Sequence, residues 1–193
     1  DDLRHLSDCR HADRFVPAAD AQADDALRPN QLLAVTLDAV SDIRRIRSIV
    51  CACRQLLVPG GIRSLADRPV RRPITIQHHG RPLGDPHRPY RGRYTGDEDT
   101  SRKPAYHNGT AWGWMFPAFC EAWVRAWGPQ AKATALSYLG SSIEGLMKGC
   151  IGHLPEIVDG DAPHTPRGCD AQAWSLSETV RVWMMLEKAA GLP

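Results

Sequence analysis

Ser41-Asp42-Ile43-Arg44-Arg45-Ile46-Arg47-Ser48-Ile49-Val50-Cys51-Ala52-Cys53-Arg54-Gln55-Leu56-Leu57-Val58-Pro59-Gly60-Gly61 reads as one helix with a start, a face and a stop. Ser41 suits the N-cap, and Asp42 in the first turn complements the positive end of the helix dipole. Ile43, Ile46, Val50, Cys53 and Leu57 recur at helical spacing on one side, and Pro59-Gly60-Gly61 cannot continue the ladder. Immediately upstream, Asn30 to Val40 carries Leu33, Leu37 and Val40 at the same spacing, so two short-linked helices are predicted to pack as an antiparallel hairpin.

Working outward, the helical period returns at Gly109 or Thr110, with Trp112, Phe116, Phe119, Trp123 and Trp127 on one side. Pro117 is predicted to bend this helix, and Gly128-Pro129 to end it. Gln130 to Lys148 places Leu136, Leu139, Ile143 and Leu146 on a stripe, and a last helix from about Ala171 points Leu176, Val180, Trp183 and Leu186 one way. Residues 1–26 read as an irregular lead-in. Between the helices, Arg63 to Pro104 and Gly152 to Asp170 are long loops rich in Pro, Gly, Arg and Asp, with Val70 to Gln77 as a short strand. With strands almost absent, an all-α assembly of helical hairpins is expected, its polar residues concentrated in interhelical loops.

The 193 residues suffice for one domain, and 42% hydrophobic with 24% charged residues is ordinary globular composition. No apolar run approaches the roughly 20 residues that cross a bilayer. A net charge of +2, from 24 basic against 22 acidic residues, is too balanced to predict a polyanion partner from bulk charge alone. The basic stretch from Arg68 to Lys103 is broken by Asp85, Asp97, Glu98 and Asp99, so neither a nucleic-acid nor a membrane partner is expected. Six cysteines are too sparse for a disulfide scaffold and fit a reduced, cytoplasmic protein. Asp1 rather than Met at the start reads as a piece of a longer chain.

Chemistry-bearing residues are densest from Leu154 to Trp174. There Glu156, Asp159, Asp161, His164, Arg167, Gln172 and Trp174 share one loop and helix start. Carboxylates can act as acid or base, Trp offers a flat face to a sugar ring, and Arg or Gln can bind hydroxyls. A tight Asp-Gly turn whose acids cap the next helix reads the same residues without a ligand. In Tyr106-His107-Asn108-Gly109-Thr110-Ala111-Trp112-Gly113-Trp114, two Trp residues two apart cannot both face a helical core. Alternatively, Trp112 is core, Trp114 sits at a packing edge, and His107 and Asn108 cap a helix. Cys150 with His153, and His164 with Cys169, lack a paired zinc spacing, so no metal is expected.

Leu27-Arg28-Pro29-Asn30-Gln31, Gly61-Ile62-Arg63-Ser64-Leu65, Tyr94-Thr95-Gly96, Ala105 to Trp112 and Glu156 to Trp174, taken in order, resemble the C-terminal part of the glycogen-debranching amylo-α-1,6-glucosidase family. The resemblance covers about residues 20–188. It departs at Ala111-Trp112-Gly113-Trp114, where many relatives carry Val-Trp-Pro-Trp, and at Lys103-Pro104 in place of Arg-Asp.

The resemblance implies the C-terminal portion of an (α/α)6 six-hairpin barrel, residues 1–193 forming a partial catalytic domain without its N-terminal helices. It also implies hydrolysis, with inversion, of α-1,6-linked glucose at branch points of glycogen, limit dextrin or another α-glucan oligosaccharide. Glu156 matches the general base, and the matching acid is an Asp upstream of Asp1, so the isolated chain is expected to be inactive. Inversion requires two carboxyls about 6.5–9.5 Å apart with water between one of them and the sugar. Trp112 and Trp174 would stack on the ring. Arg28, Asn30, Arg63, Tyr106, His107 and Gln172 would bind glucose, and Asp159, Asp161 and Arg167 would shape the loop or bind hydroxyls. No cofactor is implied. A non-catalytic glucan-binding module, a ligand-free helical scaffold and a glycosidase for another small α-glucoside are the competing readings.

Overall fold

The computed structural model describes residues 4–11, 15–17 and 19–188. In chain order the elements are β1 (Arg10–His11), β2 (Gln22–Ala23), α1 (Leu32–Thr36), α2 (Ile43–Cys53), β3 (Leu57–Val58), β4 (Gly61–Arg63), β5 (Gln77–His78), β6 (Arg81–Pro82), α3 (Lys103–Tyr106), β7 (Ala111–Trp112), α4 (Phe116–Trp127), α5 (Lys132–Gly140), β8 (Ile157–Val158), β9 (Pro166–Arg167) and α6 (Ala173–Lys188). The all-α expectation is overturned, and with it the portion of an (α/α)6 barrel. An antiparallel five-stranded sheet runs in the order β3-β4-β7-β8-β9, beside the hairpins β1-β2 and β5-β6. Strands of two or three residues are too short to display alternation, and here they lie inside segments whose Gly and Pro content reads as loop.

The helices gather around α4, which packs against α1, α2, α5 and α6. Phe116, Phe119, Cys120 and Ala122 of α4 are buried together with Ile49, Val50 and Cys53 of α2, Val35 of α1, Leu139 of α5 and Val182 of α6. Buried Glu121 fastens this arrangement, accepting from Arg125 on its own helix at 2.9 Å and from Arg181 of α6 at 2.8 Å. Arg125 also donates to the carbonyls of Val35 and Thr36, satisfying the C-terminal end of α1.

Several local expectations need correction. Asp42, not Ser41, caps α2, its carboxylate accepting from the Arg45 amide at 2.8 Å. The first helix stops at Thr36, leaving Leu37 exposed. Ala111–Trp112 is a strand rather than the start of α4, and Pro117 sits in the first turn of α4, where its missing N–H costs nothing, instead of bending it. α5 ends at Gly140 because the Ser141 hydroxyl donates to the Tyr138 carbonyl and competes with the ladder. A short 3-10 turn follows, and Ile143 and Met147 face solvent.

On α6 the buried face is Ser175, Thr179, Val182 and Leu186, while Val180 is exposed. Small residues are needed there because Ser175 packs against Gly113, and Thr179 returns its hydroxyl to the Ser175 carbonyl at 2.8 Å. Val70 to Gln77 forms no strand before Gln77. Instead the Val70 and Ile74 amides donate to the carbonyls of His87 and Pro86. The lead-in contains the β1-β2 hairpin; its residues 1–3, 12–14 and 18 lie outside those described.

The long loops are locked to the sheet by close backbone contact. Arg91 donates to the Asn108 carbonyl at 2.6 Å, and Gly160 to the Gly92 carbonyl at 2.6 Å. A Cβ on Gly109 would lie 2.3 Å from the Arg91 carbonyl oxygen, and its φ of +153° also disfavours any other residue. Gly109→Ala is expected to lower stability by about 1–3 kcal/mol, because the obstructing atoms are backbone and cannot rotate away. Urea denaturation of the variant checks this.

Candidate active site

Register places Glu156 at the edge of β8. The pairs Ile157 with Arg167 and Val158 with Pro166 put Glu156 opposite Gly168, and the Glu156 amide donates to the Cys169 carbonyl at 2.8 Å. Gly168 has φ +71°, and a Cβ there would lie 2.3 Å from Glu156 Oε2. The carboxylate therefore occupies space that only glycine leaves open. Its Oε2 accepts from the Cys169 amide at 3.0 Å, and its Oε1 accepts from the Tyr106 hydroxyl. Burial, then the bond to Glu156, pushes the Tyr106 phenol well above its ordinary value, so it stays protonated and donates.

Aromatic rings extend from this pair. Tyr106 lies edge-on to Trp112 at 4.7 Å, His107 lies parallel to Trp112 at 5.4 Å, and Trp114 stacks on Trp174 at 5.2 Å. Trp112 is fixed by donating from its indole to the Tyr106 carbonyl at 3.1 Å. Trp112 and Trp174 meet edge-on at 6.2 Å, and Trp174 is 46% exposed.

A cavity of about 700 Å³ opens along this wall, lined by Arg28, Asn30, His107, Trp112, Trp114 and Trp174 among others. Glu156 and Tyr106 do not line it; they stand one aromatic layer away, behind Trp112 and His107. Arg28 is anchored from the Ser64 carbonyl at 3.1 Å and Asn108 Oδ1 at 3.0 Å, and Asn30 donates to Asp8 at 2.8 Å.

The remaining residues singled out by the sequence form separate groups. Asp159 is 1% exposed, and its carboxylate accepts from the Tyr94 amide at 2.8 Å and from Arg167 at 3.1 Å. Asp161 accepts from the Tyr90 hydroxyl at 2.8 Å, while Arg63 donates to the Gly160 carbonyl at 2.9 Å. Gln172 joins the Leu154 carbonyl through its amide at 2.9 Å. The structure thus gathers Arg28, Asn30, His107, Trp112 and Trp174 at the cavity and Glu156 with Tyr106 beside it. Arg63, Asp159, Asp161 and Arg167 hold the adjoining loops.

The cavity residues that sequence reasoning missed include Cys9, His11 and Asp24. Among the described residues they are the group of His, Cys and acidic side chains whose ligand atoms converge. The signal was Cys9-Arg10-His11, an alternation that puts both outer side chains on one face of a strand. Cys150 with His153 and His164 with Cys169 form no such group among the described residues.

Aromatic faces beside anchored polar groups and a fixed carboxylate match the class of glycosidase-related proteins. Residues 11–181 match the family model described as Amylo-alpha-1,6-glucosidase, and no curated protein matches. The chain belongs to the amylo-α-1,6-glucosidase family, related to glycogen-debranching glycosidases. Among the described residues no helix is long and apolar enough to cross a membrane.

Asp159→Ala would strand both Arg167 and the Tyr94 amide and is expected to cost about 3 kcal/mol in urea denaturation. Burial, then the Arg28 guanidinium, holds His107 below its ordinary value of 6.5. As pH falls the unfolded chain takes up this proton first, so the contribution of His107 to stability is complete above about pH 6.5 and declines below it. Thermal melts between about pH 7 and 5 should show this loss, and His107→Gln should flatten it.

Proposed function

We propose that residues 1–193 form part of the catalytic domain of an inverting glycosidase that releases α-1,6-linked glucose from glycogen, limit dextrin or an α-glucan oligosaccharide. Glu156 is its general base, and the acid is an Asp of the same domain outside residues 1–193. Family membership supports the reaction class. The observation that carries the role of Glu156 is that both its carboxylate oxygens are oriented, by the Tyr106 hydroxyl and the Cys169 amide, next to an aromatic wall. A second lone pair on each oxygen remains for water.

In this reading Glu156 takes a proton from water as the water oxygen attacks the anomeric carbon. The acid protonates the departing glycosidic oxygen on the opposite face of the ring. Trp114 and Trp174 supply flat faces to pyranose rings, Trp112, buried in the core with His107 parallel to it, backs that wall, and Arg28, Asn30 and His107 supply polar edges. Arg63, Asp159, Asp161 and Arg167 act by holding the loops around the sugar, and Gln172 by fixing the entry to α6. No cofactor enters the reaction. A cytoplasmic setting belongs to the same reading, and six unpaired thiols suit it.

A second reading, glucan binding without hydrolysis, is favoured by one observation: Glu156 lies outside the cavity lining. The two diverge on Glu156→Gln in the full-length protein. As general base, Glu156 should account for about 10²–10⁴-fold of turnover with glucan binding retained. Unchanged turnover would remove it from the mechanism. Titrating the chain with a branched gluco-oligosaccharide should change tryptophan emission, and Trp174→Ala should weaken that binding; a silent wild-type titration would sink the sugar site altogether.

A further inference from the structure

β1 and β2 pair as Arg10 with Ala23 and His11 with Gln22, and the Asp24 amide continues the ladder to the Cys9 carbonyl at 3.0 Å. Cys9 and Asp24 therefore stand opposite each other, while His11, two residues along β1, shares the face of Cys9. Their side chains close on one point. Cys9 Sγ is 3.0 Å from His11 Nε2, His11 Nε2 is 3.2 Å from Asp24 Oδ2, and Cys9 Sγ is 3.6 Å from Asp24 Oδ2.

The thiol and the ring N–H can both donate to Asp24 Oδ2, which accounts for two of the three approaches and leaves the short one between sulfur and ring nitrogen. Sulfur and carboxylate both approach the same ring nitrogen, which carries either one proton or one lone pair and cannot serve both fully. The three do not form a Cys-His-Asp triad, which would need the carboxylate on Nδ1, the far side of the ring from the thiol. Three electron-pair donors at a common centre suit a cation. Tetrahedral zinc, with Zn–S near 2.3 Å and Zn–N and Zn–O near 2.0–2.1 Å, would separate its ligand atoms by about 3.3–3.6 Å. The observed separations lie within about 0.6 Å of that range.

We propose that Cys9, His11 and Asp24 form a binding site for a divalent cation of the zinc class, with its open coordination position facing the cavity that Arg28, Trp114 and Trp174 line. Thiolate and carboxylate together offset the charge of the cation. Asp24 is buried, and its other oxygen is already oriented by the Ala26 amide at 2.7 Å, leaving Oδ2 directed at the site. All three ligands line the cavity, so a fourth ligand, water or a ligand hydroxyl, would enter from that side. The nearby Arg28 guanidinium is held toward Asp8 at 3.7 Å. The site is independent of the role of Glu156.

The test is a cobalt(II) titration of the chelator-stripped, 193-residue chain. One equivalent should produce thiolate-to-cobalt absorption in the near ultraviolet with the visible bands of tetrahedral cobalt, and zinc should abolish both. Cys9→Ser should remove the thiolate band, and His11→Ala and Asp24→Ala should each weaken binding by at least about tenfold. Cys150→Ser and Cys169→Ser should leave the spectrum intact. Absence of the thiolate band from the wild-type chain overturns the proposal whatever the variants do. A band that survives in Cys9→Ser overturns it as well. Far-ultraviolet circular dichroism of each variant separates ligand loss from unfolding.

Discussion

The two residues of β7 are the constraint on which the site depends. Ala111 and Trp112 pair with β4 on one side and β8 on the other, so this strand joins the segment bearing Arg63 to the segment bearing Glu156. Ala111 is fully buried beside Gly61, where a Cβ on the glycine would sit 3.4 Å from the Ala111 methyl. A slip of one residue would exchange the faces of Ala111 and Trp112, forcing an indole toward Gly61 and leaving a methyl where His107 and Tyr106 now meet a ring. Register and aromatic wall are therefore one specification.

Around that strand the polar residues divide their work. Asp159, Asp161, Arg63 and Arg167 spend their hydrogen bonds on one another and on loop backbone, which keeps irregular chain in a defined position near the site. Arg28 is similarly committed to Ser64 and Asn108. Such internal pairing is what a loop-built site requires, because loops lack the ladders that hold helices and sheets rigid. The helices contribute support: α4 lies next in sequence to β7, and the first turn of α6 carries Trp174, whose stacking on Trp114 closes one end of the wall.

Much of the helical layer was legible. The middle of the α2 face, Ile46, Val50 and Cys53, follows from spacing, as does the end of α4 at Gly128, whose φ of +80° suits glycine, but α2 stops at Cys53 well before Pro59, and Leu57, read as part of its face, belongs to strand β3. The sheet was not legible, since its strands are only two or three residues long and two of its four pairings join residues about 50 apart, which no local periodicity reports. The buried face of α6 was read correctly at Leu186 and missed at its start, where Ser175 lies against Gly113 and Thr179 is buried while Val180 is exposed. Of the site, the clustering around Glu156 and the aromatic pairs was visible as motif. The convergence of Cys9 and His11 with Asp24 depends on a hairpin hidden in a segment that reads as irregular.

Glu156 lies in the space left by the missing side chain of Gly168. The dependence runs one way: a Cβ at 168 would collide with the carboxylate, whereas a smaller side chain at 156 would still leave glycine favoured at 168 by its φ of +71°. Loss of the carboxylate at 156 would leave the turn at Gly168 standing, while any change at Gly168 disturbs the turn and the carboxylate together.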